Sequence, residues 1–436
     1  MRTFTTAALL LVAALTQAGQ ATAQTPPAPP PPPATPPAAA PAPAAAAPPA
    51  AAPAAAPAAG APAAPAAPAM WYDKFAADAF VDAYGAINWN APLKGSNPPT
   101  GVGAGSAPLG SPPAFGGNTL RALDLYQGFA VNWAGVNVAY TADPIGFTVG
   151  ARVGPGAVIY HTGTPDEVAG LQYVKQAYAT WKATSALTLD FGKWDQPYGS
   201  EVADSQLNMN YTRSVLWWYM QPLWFTGLRA NYAISGSANL LLLAANGWNN
   251  SIDNLGNKTF GGQLMLKPMD SLTLYLGYVG GSQQPNYAGM GARIPGAASN
   301  WRHMIDVVAD YNPTAALRLL LNVDWRAEDN IYTQEAMAAP HSEIAYGGNL
   351  VVRYNVSDAF NAALRGEFFH DEHSDLIGTK NVEDATLTLT YGLGTHLAFM
   401  LDGRLDFADD PIFPNNTTGS EKTQFTTTLG VIASTK

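Results

Sequence analysis

The residues best suited to chemistry lie in one segment, 191-FGKWDQPYGSEVADSQLNMNYTRSVLWWYMQPLWF-225. Its charged residues after Trp194 are Asp195, Glu201, Asp204 and Arg213. Paired carboxylates such as Asp195 and Glu201 hydrolyse glycosides when they flank the scissile bond and one of them has a raised pKa. The sequence indicates neither condition. Hydrolysis is therefore the less favoured interpretation of these charges.

A second group of reactive side chains is the run His370-Asp371-Glu372-His373, whose donor atoms are dense enough to bind a metal ion. The run falls where a predicted strand passes into a predicted external loop, so a solvated acidic loop is the favoured interpretation. No G-x-S-x-G motif occurs, and the Gly-rich run 101–110 lies in a Pro-flanked loop rather than between a strand and a helix. We therefore predict no catalytic residue, no metal and no cofactor.

The elements that must position these residues have a two-residue period. In 316-ALRLLLNVDWR-326, one face carries Leu321 and its apolar neighbours two residues away, and the other face carries Asn322 and charged residues. The same division recurs in 145–153 and 396–407. Long two-faced strands, repeated many times, are typical of a transmembrane β-barrel. A soluble antiparallel sandwich is the alternative, but its strands would be shorter and its apolar faces would meet each other.

The connections between strands predict how many strands there are. Short turns are predicted at 142–144, 184–185, 235–236, 268–270, 312–313, 356–357 and 392–394, and long connections near 90–120, 155–170, 196–222, 248–257, 281–300, 328–341, 371–380 and 408–420. Because short and long connections alternate, we predict an all-β fold: a transmembrane antiparallel β-barrel of about 16 strands, within a range of 14–18. Both chain ends then lie on the short-turn side, which in such barrels faces the periplasm.

Tryptophans near the predicted strand ends support a membrane barrel, because interfacial aromatic residues form girdles around such proteins. These tryptophans are Trp89, Trp133, Trp181, Trp194, Trp224, Trp248 and Trp325. We expect them on the outer surface.

The first 70 residues have a different composition from the rest. Arg2, the apolar run 7–15 and the small residues 21–23 predict a secretory signal peptide over 1–23, since the apolar run is too short for a membrane anchor. Residues 24–70 are almost wholly Pro and Ala, and we predict a disordered, extended periplasmic linker that either contacts the cell wall or is a free tail. The barrel domain is then 71–436.

Charge and cysteine content narrow the possible partners. The formal net charge is −10 and there is no Cys. Removal of the signal peptide leaves 21 Lys and Arg against 32 Asp and Glu, a net charge of −11. That balance disfavours nucleic acid as a partner. The absence of Cys excludes a disulfide framework and discriminates little else.

The runs GKWDQPYGSE, NMNYTRS and QPLWFTGLRANY, which fall within 192–232, resemble the central signature of the OmpL-like β-barrel porins of bacterial outer membranes. The strand pattern extends the resemblance over Ala79–Ala433. The resemblance implies an outer-membrane porin, not an enzyme, that allows passive diffusion of small hydrophilic solutes or ions. Many such barrels end on an aromatic residue, whereas this chain ends VIASTK.

In porins the third long loop folds inward, so the resemblance implies that 197–219 lies in or over the lumen. Asp195, Glu201, Asp204 and Arg213 would then form a pore constriction. The predicted wall that faces them consists of inward-facing residues: Arg152, Arg229, Arg318, Asp324, Arg353, Arg365 and Arg404. With Asp306, Asp310 and Asp402 on the same faces, the net charge predicts weak cation preference. The alternative is an ordinary external loop.

The predicted partners are the lipid bilayer of the outer membrane and small hydrophilic solutes, with cell-wall contact through 24–70 and a homo-oligomer as further possibilities. Two other functions stay open. One is a barrel with a plugged lumen that has a structural, wall-tethering role, and the other is a barrel hydrolase.

Overall fold

The computed structural model describes residues 71–92, 117–141, 143–162, 164–167, 170–253, 257–283, 300–331, 341–417 and 419–435. The predicted signal peptide (1–23), the predicted linker (24–70) and the Gly-rich run 101–110 lie outside the described residues. Those three assignments stay predictions.

Strands with two-residue periodicity make up most of the fold. They are β1 Phe75–Asn88, β2 Gly128–Thr141, β3 Ile145–Val153, β4 Val174–Lys182, β5 Leu187–Asp195, β6 Trp224–Ser235, β7 Ala238–Ala245, β8 Thr259–Met269, β9 Leu272–Ser282, β10 Trp301–Tyr311, β11 Leu317–Ile331, β12 His341–Asn355, β13 Phe360–Asp371, β14 Asn381–Leu393, β15 Leu397–Ala408, β16 Phe413–Pro414, β17 Ser420–Glu421 and β18 Thr423–Ser434. Two of them, β16 and β17, form a separate small hairpin.

The other sixteen strands close into one antiparallel barrel, in which each strand pairs with its chain neighbours and β1 pairs with β18. The structure confirms the predicted barrel and its strand number. It also confirms the seven short turns and eight long connections, which are called loops 1 to 8 in chain order below. A closed sheet has no unpaired edge, which is the condition for a sheet to cross a lipid bilayer.

The two faces of the strands differ in chemistry as predicted. In β11, Leu321 and Val323 are 40% and 44% exposed on the outer surface, whereas Asn322 and Asp324 are buried on the inner side. This arrangement contradicts the sandwich alternative, in which the apolar face would be covered. No helix among the described residues is long and apolar enough to cross a membrane.

The tryptophan prediction is correct for three residues and wrong for four. Trp89, Trp181 and Trp325 are exposed, but Trp133, Trp194, Trp224 and Trp248 are buried. At Trp133 the cause is a break in register between β1 and β2, where Asp82 pairs with Trp133 and Ala83 pairs with Val131. The extra residue, Asn132, forms a β-bulge, and a bulge reverses the face on which the following side chains lie.

Two loops contain short helical segments. Loop 2 carries one α-helix, α1, at Pro155–His161, which begins with Pro in the first turn, where no backbone N–H is needed. Loop 3 (196–223) contains a 3₁₀ turn at Ser205–Leu207 and a buried π-helical turn at Leu216–Met220. The rest of loop 3 is irregular, so its backbone polar groups need partners from elsewhere.

Candidate functional site: loop 3 and the inner wall

Loop 3 crosses the interior of the barrel. Near its middle, Ser205 Oγ donates a hydrogen bond to Asp82 of β1 at 2.5 Å. Near its start, the Gly199 N–H donates to Asp306 of β10 at 3.1 Å. Strand β10 is the seventh neighbour of β1 around one side of the closed sheet and the ninth around the other. The loop is therefore bonded to opposite walls.

Carboxylates on the wall accept hydrogen bonds from the backbone of loop 3. Glu367 of β13 accepts from the Val215 and Leu216 N–H groups at 3.0 and 2.6 Å. Asp402 of β15 accepts from the Thr212 N–H at 2.8 Å. These two side chains satisfy donors that the irregular loop cannot pair internally.

Arginines on the wall donate to the carbonyl groups of the same loop. Arg365 of β13 donates to the Thr212 carbonyl at 2.7 Å, and Arg404 of β15 donates to the Arg213 carbonyl at 2.6 Å. Arg326 of β11 donates to the Tyr219 carbonyl at 3.0 Å. The wall thus offers carboxylates to the loop's N–H groups and guanidinium groups to its C=O groups.

Glu201 is the first of the predicted constriction residues, and it faces the predicted basic wall. Its carboxylate lies 3.0 Å from Arg365 Nη1. It also accepts from the Ser214 N–H at 3.0 Å, which ties the two halves of loop 3 together. Arg365 in turn lies 3.4 Å from Asp384, so one guanidinium bridges the loop and β14.

Asp204 makes the second contact between loop 3 and the predicted wall. Arg152 of β3 donates to both carboxylate oxygens, at 3.0 and 2.8 Å, and Lys175 lies 3.2 Å away. Burial by itself would raise the pKa of Asp204, but Lys175 and Arg152 outweigh burial and hold the pKa below its ordinary value. Asp204 is therefore a buried anchor whose charged form is favoured.

The other two predicted constriction residues have different positions. Asp195 is the last residue of β5 rather than part of the loop, and it is bonded to Lys175. Arg213 donates to the Tyr211 carbonyl at 2.6 Å and to Ser205 Oγ at 3.0 Å. The groups to which its guanidinium donates all belong to loop 3, so the Arg213 side chain holds the fold of the loop itself.

Besides Arg404, whose partner in loop 3 is a carbonyl group, four predicted wall residues do not bond to the charged groups of loop 3. Arg229 pairs with Asp190 at 2.8 Å, and Arg318 pairs with Asp310 at 2.8 Å. Arg353 donates to Asn355 at 3.1 Å. Arg318 and Arg353 lie near the short-turn end of their strands, Arg229 lies near the middle of β6, and all three are only partly buried. The fourth, Asp324, is buried and accepts from Gln221 of loop 3 at 2.7 Å.

Apolar contacts hold the centre of loop 3. Met209 packs in a cluster formed by inward-facing residues of β10 to β13: Val308, Leu320, Val351 and Ala363. Tyr211 packs in a second cluster, with Tyr84, Met400 and Ile432 from β1, β15 and β18. Apolar inner-wall residues are unusual in a water-filled lumen, and their burial by loop 3 explains their presence.

Loop 2 packs against the end of loop 3 and the start of β6. Tyr160 donates to the Leu223 carbonyl at 2.8 Å, and the His161 ring lies 4.5 Å from the Trp224 ring. His161 Nδ1–H donates to the Ala157 carbonyl at 2.8 Å, which leaves Nε2 to accept from Lys193 at 3.0 Å. Burial, together with the Lys193 charge, lowers the pKa of His161 to about 4.

Sequence reasoning missed several residues that hold loop 3. Asp82, Asn322, Glu367 and Gln221 all bond to it or across it. A signal was present for the first three, since each is a polar residue on the inner face of a two-faced strand. Nothing in the spacing of Gln221 distinguishes it from the other polar residues of the loop.

Comparisons with known proteins agree with this architecture. The family model described as "Putative beta-barrel porin-2, OmpL-like" matches residues 74–434. The comparison with curated proteins gives no match.

Several solved structures are similar to this chain. The anion-selective porin from Comamonas acidovorans has a TM-score of 0.51 and 12% identity, over 83% of this chain and 99% of that chain. The outer membrane channel DcaP of Acinetobacter baumannii has a TM-score of 0.49 and 8% identity, over 83% and 96%. The trimer form of OmpT, an outer membrane protein of Vibrio cholerae, has a TM-score of 0.48 and 11% identity, over 83% and 98%.

The matched region contains the whole barrel, from β1 to β18, and it includes the runs within 192–232 on which the resemblance was based. The chain belongs to the OmpL-like β-barrel porin family, and it is a porin of the outer membrane.

Proposed function

We propose that this porin passes small hydrophilic solutes and ions by passive diffusion, and that loop 3 sets the width and the charge of the passage. The observation that carries the proposal is the attachment of loop 3 to β1 and β10, on opposite walls of the lumen. A sixteen-stranded barrel is wide enough for an aqueous channel, so a segment that crosses it must narrow that channel.

The charges around loop 3 support a second part of the proposal, which concerns ion preference. Glu201 and Asp204 face Arg365 and Arg152, respectively, across the boundary between loop and wall. Opposed charges at a narrow point orient solutes and bias ion passage. In this proposal Asp195 and Arg213 are positioning residues, which hold Lys175 and the fold of loop 3.

The remaining predicted wall arginines face the passage outside the contacts of loop 3. Arg318 and Arg353 lie towards the short-turn end, Arg229 lies near the middle of β6, and all three are open to solvent in part, so they meet a solute on its way to the periplasm. Asp324 acts indirectly, because its partner is Gln221 of loop 3.

Two measurements on refolded protein test the proposal. Planar-bilayer recordings should show discrete conductance steps, and liposome swelling should show entry of small sugars with a sharp loss of rate as solute size increases. Swelling that is equally fast for large and small sugars would contradict a constriction.

The close packing around loop 3 favours a second candidate, a structural barrel with a plugged lumen. Asp306, Arg365 and Arg404 all face the lumen at the height of loop 3, and each is 0% exposed. In this case no conductance would appear at any voltage, and removal of 24–70 would weaken attachment of the outer membrane to the cell wall.

The hydrolase alternative has less support. Asp195 is bonded to Lys175 and Glu201 to Arg365, so both carboxylates have cationic partners, whereas a general acid must carry a proton. Family membership indicates a channel rather than an enzyme.

Three finer assignments belong to the proposal as well. We propose that 1–23 is a removed signal peptide and 24–70 a periplasmic linker, which amino-terminal sequencing of the mature protein and cell-wall pull-down with a linker peptide would test. A homo-oligomer is the third, and native mass spectrometry of the detergent-extracted porin would establish its subunit number.

A further inference from the structure

Two histidines and two carboxylates meet at the loop end of the barrel, away from loop 3. His341 and Glu343 lie at the start of β12, whereas His373 and Asp375 belong to loop 7, between β13 and β14. Loop 7 is held against β12 here, because the Glu372 N–H donates to the Ile344 carbonyl at 3.1 Å. The four side chains are thus brought together by the pairing of β12 with β13 rather than by their spacing in the sequence.

The donor atoms of these side chains converge on a small volume. His373 Nδ1 lies 2.9 Å from Glu343 Oε2, and His341 Nε2 lies 3.8 Å from the same oxygen. One donor atom from each of these three residues falls within 4.8 Å of the others. His341 Nε2 also lies 2.7 Å from Asp375 Oδ2, which brings a fourth donor to the group.

Such a set has the size and chemistry of a metal site. Zinc takes imidazole nitrogen and carboxylate oxygen ligands at roughly 2.0–2.2 Å in a tetrahedron, so its ligand atoms are roughly 3.3 Å apart. The three observed separations, 2.7, 2.9 and 3.8 Å, lie on both sides of that value. Small side-chain rotations would bring all four atoms to ligand distance.

Two buried carboxyl groups beside the cluster give an independent reason for a cation. Glu343 and Asp371 are 1% and 0% exposed, and their carboxyl groups lie close to each other. Asp371 Oδ2 accepts from the Leu376 and Ile377 N–H groups, but its Oδ1 has no hydrogen-bond partner among the described residues. Two adjacent buried carboxylates repel each other unless a proton or a cation lies close by.

We propose that His341, Glu343, His373 and Asp375 bind a divalent transition-metal ion of the zinc class, with Asp371 as an outer carboxylate that adds to the negative field. Two imidazole nitrogens together with two carboxylate oxygens favour zinc and its neighbours over calcium and magnesium, which prefer oxygen ligands alone. The bound ion links loop 7 to β12 at the outer mouth of the porin. The proposal does not depend on whether loop 3 sets the width and the charge of the passage.

A histidine–carboxylate ion pair without metal is the competing explanation. A protonated His373 would neutralise Glu343, but His341 approaches the same oxygen from a second direction and also contacts Asp375. A single divalent ion accounts for all three approaches at once, because it accepts both imidazoles and both carboxylates as ligands.

Calorimetry on the folded, untagged porin in detergent tests the site directly. After dialysis against chelator, titration with zinc chloride should show one ion bound per chain, and titration with cobalt chloride should produce the visible absorption of tetrahedral Co²⁺. His341→Asn, His373→Asn and Glu343→Gln should each weaken zinc binding by about tenfold or more. A large excess of Ca²⁺ or Mg²⁺ should not displace the zinc.

The matched control is His370→Asn. His370 belongs to the same run of sequence as His373, but its Nδ1 is bonded to Asn381 at 2.7 Å and its ring stacks on Tyr346. This variant should bind zinc as the natural protein does. Equal loss of binding in His370→Asn and His373→Asn, or displacement of zinc by Ca²⁺, would overturn the proposal in favour of a non-specific acidic loop.

A measurement on the natural sequence covers the case in which a variant fails to fold. Zinc should protect His341 and His373 from diethylpyrocarbonate, as mapped by mass spectrometry, and should leave His303 and His396 as reactive as before. Equal modification of His341 and His373 with and without zinc would also overturn the proposal.

Discussion

Single charged side chains on the inner wall supply the hydrogen-bond partners that loop 3 lacks. Glu367 and Asp402 accept from its N–H groups, and Arg365 and Arg404 donate to its C=O groups. Buried backbone groups must be paired, and an irregular segment cannot pair them internally. The charges of the wall therefore hold the loop in place as well as face the lumen.

Glu367 tests this role of the wall. Glu367→Leu removes the acceptor for the Val215 and Leu216 N–H groups at similar side-chain size. Each unpaired buried donor costs roughly 1–3 kcal/mol, so the π-helical turn at 216–220 should loosen while the barrel stays folded. Hydrogen exchange should become faster at 214–220, and single-channel currents should become noisier. Glu383→Leu on the neighbouring β14 is the control, and equal exchange in the two variants would contradict the assigned role.

Glu201 and Asp204 test the link between charge and ion preference. The natural porin should prefer cations weakly, and Glu201→Gln combined with Asp204→Asn should shift preference towards anions, because Arg365 and Arg152 lose their counter-charges. The solute size limit should change little, since both substitutions conserve shape. Reversal potentials in a salt gradient measure the shift, with Asp253→Asn in loop 4 as the control. A variant with the natural reversal potential would show that these charges lie off the ion path.

At the scale of elements, the neutral His161 helps to hold loop 2 against β5 through Lys193, a contact that we call loop 2 docking. His161 accepts from Lys193, which also lies 2.6 Å from Asp166, and Asp166 accepts from the Ser251 N–H of loop 4 at 2.8 Å. A protonated imidazole cannot accept a hydrogen bond and would face the Lys193 charge. Loop 2 docking is therefore coupled to pH.

The sign of that coupling follows from the direction of the shift. The pKa of His161 is lowered from 6.5 to about 4 in the folded state, so the unfolded or undocked form binds the proton more tightly. Docking is complete above about pH 6.5 and weakens as pH falls towards 4, by roughly 3 kcal/mol in the limit. Hydrogen exchange in 155–162 should accelerate over that range in the natural protein and not in His161→Gln. Acceleration of the same size in His161→Gln would assign the effect to other groups.

The barrel strands give a prediction about their two faces. Leu321 is exposed on the outer side of β11, so Leu321→Arg should destabilise membrane folding by roughly 2–4 kcal/mol near the bilayer midplane. Ala315→Arg, in the turn before β11, should have almost no effect, because that residue lies outside the strands. Urea-dependent folding into lipid vesicles measures both. Equal defects would argue against a lipid-facing position for Leu321.

The elements were predictable from sequence to different degrees. Two-residue periodicity and the alternation of short and long connections are local signals, so the sixteen strands followed from them. The burial of Trp133 could not be predicted, because it depends on a one-residue bulge at Asn132 that the alternation of apolar and polar residues does not indicate. The contact between Glu201 and Arg365 joins residues 164 apart in the chain, and only the closed barrel brings them together. The inward fold of loop 3 was expected from family resemblance, not from spacing.

At the scale of the whole molecule, the barrel and loop 3 have separate roles. Backbone pairing closes the barrel without any contribution from loop 3, since every barrel strand pairs with two other strands. Loop 3 then occupies the interior and buries the charged and apolar residues that face it. We therefore expect that the loop can be changed while the barrel survives, because loop changes cost far less than loss of a strand.

The most direct test of loop 3 as the constriction is the single-channel conductance of a porin in which Ser200–Asn210 is replaced by a short Gly/Ser linker. The same linker inserted after Asn416, in the exposed part of loop 8, is the control, and heat-modified gel mobility establishes that each barrel is folded. We predict a clear rise in conductance and entry of larger sugars for the loop 3 variant alone. Natural conductance and natural size limits in that folded variant would contradict the assignment of loop 3 as the constriction.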